Sequence, residues 1–157
     1  MKDRRTASNV ALKALYAREL SGENAEHVME TVISRHFLDH KKKDLKDFSE
    51  SLFLRTIKNQ EELDDILQEH SRNWRIERLA VVDKLILRFA LAEFLFFEEI
   101  PTKVTMNEAI EISKEYSTKK SSSFINGILD SALETLQKED RITKTGRGLI
   151  ETSTQKN

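Results

Sequence analysis

LAVVDKLILRFALAEFLFF, Leu79 to Phe97, is the stretch that decides the fold. Asp83, Lys84, Arg88 and Glu93 are its only charged residues, everything else in it is apolar, and no glycine or proline breaks it. A run this long exceeds a strand and predicts a helix. On a 3.6-residue helical wheel the four charges spread widely, so the helix is apolar on nearly every side. Such a helix must be surrounded, either by lipid or by other helices. Lipid fails on energy, because each ionisable group would cost roughly 2.5–3.5 kcal/mol at mid-bilayer. The stretch is therefore the central helix of an α-helical protein, with no membrane span.

Working outward toward the C-terminus, Ile100-Pro101 ends this helix, since proline lacks a donor and pushes its predecessor out of the α region. Thr102 or Thr105 then caps a helix that runs through Val104, Ala109, Ile110 and Ile112 to about Tyr116. A linker from Ser117 leads into a last helix, about Lys120 to Leu136. Asn126-Gly127 in that helix resembles a hairpin turn, but Phe124, Ile125, Ile128, Leu129, Leu133 and Leu136 keep helical spacing around it. A glycine inside a helix costs about 1 kcal/mol relative to alanine, which implies a close helix–helix approach at Gly127. From Gln137 the chain is polar and aperiodic, and residues 137–157 read as an unstructured tail.

Toward the N-terminus, Leu52, Phe53, Thr56, Ile57, Leu63, Ile66 and Leu67 predict one long helix down to His70, opened by an Asp47/Glu50 capping box. Lys41 to Lys43 read as a solvated linker before it. Helices over 25–37 and 3–20 precede these, the first helix ending at Ser21-Gly22. The whole is an all-α chain of six or seven helices, with residues 1–136 forming one domain.

The net charge is −1, so any binding of nucleic acid must rest on a local patch or on a partner that brings more positive charge. There is no cysteine, which removes disulfides, thiolate metal sites and thiol nucleophiles. The start, MKDRRTASNV, lacks the apolar run of a secretory signal, and the cytoplasm is the expected compartment. His36 and His40 stand four apart, but the intervening residues lack the glutamate of a metalloprotease helix and no third ligand is evident. No Walker loop, glycine-rich dinucleotide turn or nucleophile elbow is present. Neither a catalytic site, a metal nor a cofactor is expected, and the chain does not read as an enzyme.

Three features read as binding groups. Lys2, Arg4 and Arg5 cluster at the start of the first helix, the unfavourable end for cations; on the residues alone they are equally a solvated terminus or an arm that meets phosphates. Tyr16 on the same helix reads first as a half-buried core residue. Tyr116, Lys119, Lys120 and Phe124 bracket the last linker, where aromatics can stack on unpaired bases while lysines meet phosphates. Two core aromatics beside a solvated loop fit that pattern equally well.

The arrangement VVDKLILRFALAEF, then IPTKVTMNEAIEISKEYS, then KSSSFINGILDSAL resembles the NusB family of bacterial transcription antitermination factors. The resemblance is strong from about Trp74 to Leu133 and extends to the first helix through Ala14, Leu15, Tyr16, Ala17 and Leu20. It implies two packed helical bundles and a non-enzymatic, RNA-binding role. It also implies pairing with NusE, a ribosomal small-subunit protein, and binding of single-stranded boxA-like RNA in ribosomal RNA leader transcripts. That assembly joins the RNA polymerase antitermination complex. Carried over by position, Lys2, Arg4, Arg5, Tyr16, Tyr116, Lys120 and Phe124 belong to the RNA surface, and Asp83 faces the protein partner. Monomers and homodimers both occur in the family. Thr6 and Ser8 interrupt the arginine run usual in such first helices, which raises the alternative of a protein-interaction module without strong RNA binding of its own.

Overall fold

In the computed structural model, residues 2–149 are described, Lys2 by its backbone alone. Seven α-helices account for most of them: α1 (Lys2–Ser21), α2 (Ala25–Val28), α3 (Lys43–Lys58), α4 (Gln60–His70), α5 (Val81–Phe96), α6 (Thr102–Tyr116) and α7 (Lys119–Lys138). No strand occurs among the described residues, and none of their helices is long and apolar enough to cross a membrane.

The contacts divide the chain into two units, Met1–Lys58 and Asn59–Asn157. In the first, α1 packs chiefly on α3. Ala7, Val10, Ala11, Ala14 and Leu15 from α1 are buried with Leu52 and Phe53 from α3. Asn24 caps α2 by accepting from the His27 amide at 2.8 Å. The helix then widens into a π-helical segment, Met29–Ser34, where the Thr31 hydroxyl donates to the His27 carbonyl at 3.0 Å and competes with the regular ladder.

The start of α3 corrects the sequence reading. Asp39, not Asp47, is the cap: its carboxylate accepts from the Lys41 amide at 3.0 Å. A 3₁₀ turn, His40–Lys42, then feeds α3 directly. Asp47 lies inside the helix and pairs with Lys43 at 2.9 Å. The expected single helix to His70 is also two, because Asn59 leaves the helical region at φ −108° and ψ 19°. Thr56 and Leu63 sit seven residues apart, so the apolar phase survives the break and conceals it.

In the second unit α5 is the centre. It packs on α4, α6 and α7, and every residue from Leu85 to Phe94 is buried. Its charges face different neighbours, as their spread around the wheel requires. Arg88 donates from Nε and Nη2 to the two Asp64 oxygens of α4 at 2.7 and 2.9 Å. Glu93 accepts from the Thr105 hydroxyl of α6 at 2.6 Å. Asp83 accepts from the Ser117 hydroxyl, just past α6, at 2.9 Å. Thr105 is thus a partner of Glu93 and not a helix cap; Pro101 occupies the N-cap position of α6.

Between α4 and α5 the chain makes a latched loop. Gln68 donates from Nε2 to the carbonyls of Ser71 and Trp74 at 3.2 and 3.0 Å and accepts from the Ile76 amide at 3.0 Å. The buried Ser71 hydroxyl also donates to the Trp74 carbonyl at 3.0 Å. A 3₁₀ turn, Ile76–Arg78, and an extended Leu79 lead into α5.

Beyond α7, polar composition conceals a docked segment. Asp140 takes a positive φ of 57° and the chain turns back. Lys144 is 9% exposed, and its ammonium donates to the carbonyls of Glu93 and Phe97 at 3.1 and 2.9 Å. It therefore caps the C-terminal end of α5, the end where a cation is favoured. The Thr145 amide adds a bond to the Glu98 carbonyl at 3.0 Å, and a Cβ at Gly148 would collide with that carbonyl. Within the tail expected over 137–157, residues 150–157 lie outside the described ones.

Candidate nucleic-acid interface

Each unit presents candidate groups of its own. On α1, burial of the alanine-rich face leaves the opposite side free. Arg5, Lys13, Tyr16 and Leu20 are exposed and fall within about 80° of one another around the helix. Tyr16, a half-buried core residue on its sequence pattern alone and a surface residue by the family resemblance, is 40% exposed. Arg4 turns the other way, with its guanidinium 5.2 Å from the centre of the Phe48 ring of α3, a cation–π contact. The Lys2 side chain lies outside the described residues. The expected basic arm is thus split between a solvent-facing Arg5 and an Arg4 engaged within the unit. Lys13 escaped the sequence reading, although its place eight residues after Arg5 was the available signal.

In the second unit, Tyr116, Lys119, Lys120 and Phe124 gather at the corner between α6 and α7. Thr118 caps α7 by accepting from the Ser121 amide at 3.0 Å. The Ser113 and Ser122 hydroxyls bond at 2.7 Å in a buried pair that joins the two helices. Ser117, between Tyr116 and the cap, is held to Asp83. The corner is fixed, and its four residues sit on defined backbone. Tyr116 is 39% exposed, and partial burial, reinforced by Glu115, raises its phenol above the ordinary value of 10.0. It is a neutral hydrogen-bond donor at physiological pH. Lys119 and Lys120 open α7 with no acidic residue in its first turn, so cations stand where the helix dipole favours anions. An incoming phosphate would meet both the lysines and the helix N-terminus.

Asp83 has a different setting from the one expected of a partner-facing acid. It is 6% exposed and its Oδ1 is committed to Ser117. Gly127 also departs from expectation. A Cβ built there meets nothing within 4 Å, so no helix approaches it and the glycine faces open space.

Among the described residues no group of three or more His, Cys, Asp or Glu could hold a metal ion. His36 lies edge-on to Phe37, with ring centres 4.8 Å apart. The arrangement is suited to stacking and to phosphate contact.

Fold and surface together define a class: an all-α factor of two helical units that displays aromatic and basic side chains. Within that class, the model of the NusB family matches residues 5–134, and the chain belongs to the NusB family. Transcription antitermination protein NusB of Salinibacter ruber (strain DSM 13855 / M31) is 45% identical over 150 residues, covering 96% of this chain and 92% of that protein. The solved structure of T. maritima NusB is similar with a TM-score of 0.75 and 35% identity, over 83% of this chain and 90% of that one. A crystal structure of antitermination factors NusB and NusE in complex with dsRNA is similar with a TM-score of 0.77 and 26% identity, over 86% of this chain and 98% of its counterpart.

Proposed function

We propose that this chain, a NusB-family transcription antitermination factor, binds boxA-type RNA in ribosomal RNA leader transcripts together with a NusE partner. In that role it helps RNA polymerase resist premature termination in the cytoplasm, without catalysing a reaction. The observation that carries the reading is the fixed α6–α7 corner, where Tyr116 and Phe124 flank Lys119 and Lys120. Aromatics there stack on splayed bases while the lysines neutralise phosphates, which suits unpaired RNA. The α1 stripe of Arg5, Lys13 and Tyr16 offers the same chemistry. A solved relative seen with NusE and RNA supports the pairing. Asp83 enters as the residue that ties the start of α5 to the corner, so a partner docking at that turn also reaches Ser117, next to Tyr116.

A net charge of −1 fits a factor whose RNA affinity depends on a basic partner. The second reading, a protein-interaction module without strong RNA binding, draws on Arg4 being engaged by Phe48. The test is fluorescence anisotropy of a short single-stranded boxA-like RNA, with and without NusE, at two salt concentrations. Salt-sensitive binding that strengthens with NusE supports the first reading. Absence of RNA binding in both conditions, with NusE itself still bound, establishes the second.

A further inference from the structure

Beside the α6–α7 corner lies a cavity of about 470 Å³, formed between the latched loop after α4 and one face of α7. From the loop come Arg72, Asn73 and Trp74, and from α7 come Phe124, Ser131 and Thr135. We propose that this cavity receives an unpaired RNA base, stacked on Trp74 and Phe124, with the adjoining phosphate on Arg72. The proposal rests on the RNA-binding reading above and extends it to an adjoining subsite that shares Phe124 with the corner and adds Arg72 and Trp74.

Three observations carry it. First, Trp74 is 57% exposed, although its backbone is tied down by Gln68 and Ser71. With the backbone already placed, only the side-chain torsions of the indole remain to be ordered when a flat ligand stacks on it. Arg72 and Arg75 flank it, both exposed, so the loop reads Arg-Asn-Trp-Arg toward solvent.

Second, the walls carry groups that read base edges. His70 Nδ1 and the Ser131 hydroxyl bond to each other at 2.8 Å, and Asn73 and Thr135 add an amide and a hydroxyl. Glu69 on the lining repels phosphate but accepts from an exocyclic amino group. The backbone of the strand is thereby directed to the arginine side.

Third, Gly127 has open space where its side chain would be. It lies about 60° around α7 from Phe124, toward the side of Lys120. Gly127 does not line the cavity itself, but with no side chain beside Phe124 it leaves the α7 surface between the lysines of the corner and the cavity low enough for a nucleotide backbone to pass. Protein partners are less suited to a concave site of this size, with one arginine and an amide on its lining, than a base is.

Trp74 is the chain's only tryptophan, so its emission reports on this site alone. Titrate the full chain, with NusE present, with a labelled single-stranded boxA-like RNA, following RNA anisotropy and tryptophan emission excited selectively over tyrosine. Correct for any tryptophan in NusE by running Trp74→Phe in parallel. The expected result is quenching of Trp74 with the midpoint of the anisotropy curve. Trp74→Ala should weaken binding about tenfold or more, in keeping with loss of a stacked base. Gly127→Gln should weaken binding several-fold while the thermal midpoint holds or rises, an outcome that damage to the fold does not give. RNA binding with unchanged Trp74 emission and wild-type affinity in both variants overturns the site but leaves the RNA reading standing. Quenching by NusE alone, with no further change on adding RNA, assigns the cavity to a protein partner and overturns the proposal. No RNA binding at all overturns both.

Discussion

Helices α1 and α5 each form the spine of a unit, and they treat polar groups in opposite ways. α1 buries one face of small residues and turns Arg5, Lys13 and Tyr16 to solvent. α5 is buried on all sides, and Asp83, Arg88 and Glu93 each bond to a different element around it. Charge on α5 therefore acts as a fastener, while on α1 Arg5 and Lys13 are displayed and Arg4 turns inward to Phe48. Substitutions on the two helices should separate cleanly into losses of stability and losses of binding.

The largest effect should come from Asp64→Ala, which leaves the Arg88 guanidinium, with its side chain 5% exposed, without its bidentate carboxylate. A cost of about 3 kcal/mol is expected, read as a lowered midpoint in urea unfolding. Lys144→Met removes two charge-assisted bonds at the end of α5 and should cost about 2 kcal/mol. Hydrogen exchange should then quicken first at the C-terminal amides of α5. Gly127→Ala runs the other way: with open space at Cβ it should stabilise by about 1 kcal/mol, visible as a raised thermal midpoint.

On α1, Arg5→Ala and Lys13→Ala should leave stability within about 0.5 kcal/mol. If they contact phosphates, each should lower RNA affinity and reduce the salt slope by about one. A stability loss comparable to that of Asp64→Ala would break the contrast between the two helices. The smallest effect concerns Tyr116. Folding raises its phenol, so the neutral form is favoured up to the unfolded value near 10 and that preference is lost as pH rises through the folded value. Ultraviolet titration should show a late-ionising phenol that disappears in Tyr116→Phe.

Local periodicity explains how much was legible beforehand. The long apolar run of α5 and the spacing along α6 and α7 declare helices because each is buried by its own pattern. What escaped depends on contacts remote in sequence or on space itself. The bond from Asp83 to Ser117 spans 34 positions, and Lys144 reaches Glu93 across 51. No local pattern distinguishes a lysine that caps a distant helix from one in a polar tail. Asn59 broke a helix without disturbing its apolar phase. Gly127 was read as a packing contact because sequence reports the missing side chain but not what lies beside it. Within the candidate site, Tyr116, Lys120 and Phe124 were legible as a cluster, whereas Trp74 and Arg72 joined the picture only through the fold of the loop after α4.

The bond from Lys144 also has a consequence for synthesis on the ribosome. The first unit has its internal contacts in hand once Lys58 has cleared the exit tunnel. The second cannot close the end of its central helix until a residue 47 positions beyond Phe97 has emerged. Until then the Glu93 and Phe97 carbonyls lack the Lys144 ammonium as a partner and look to water. A stalled or truncated product ending near Lys138 would carry all seven helices yet lack the lysine that closes the fifth.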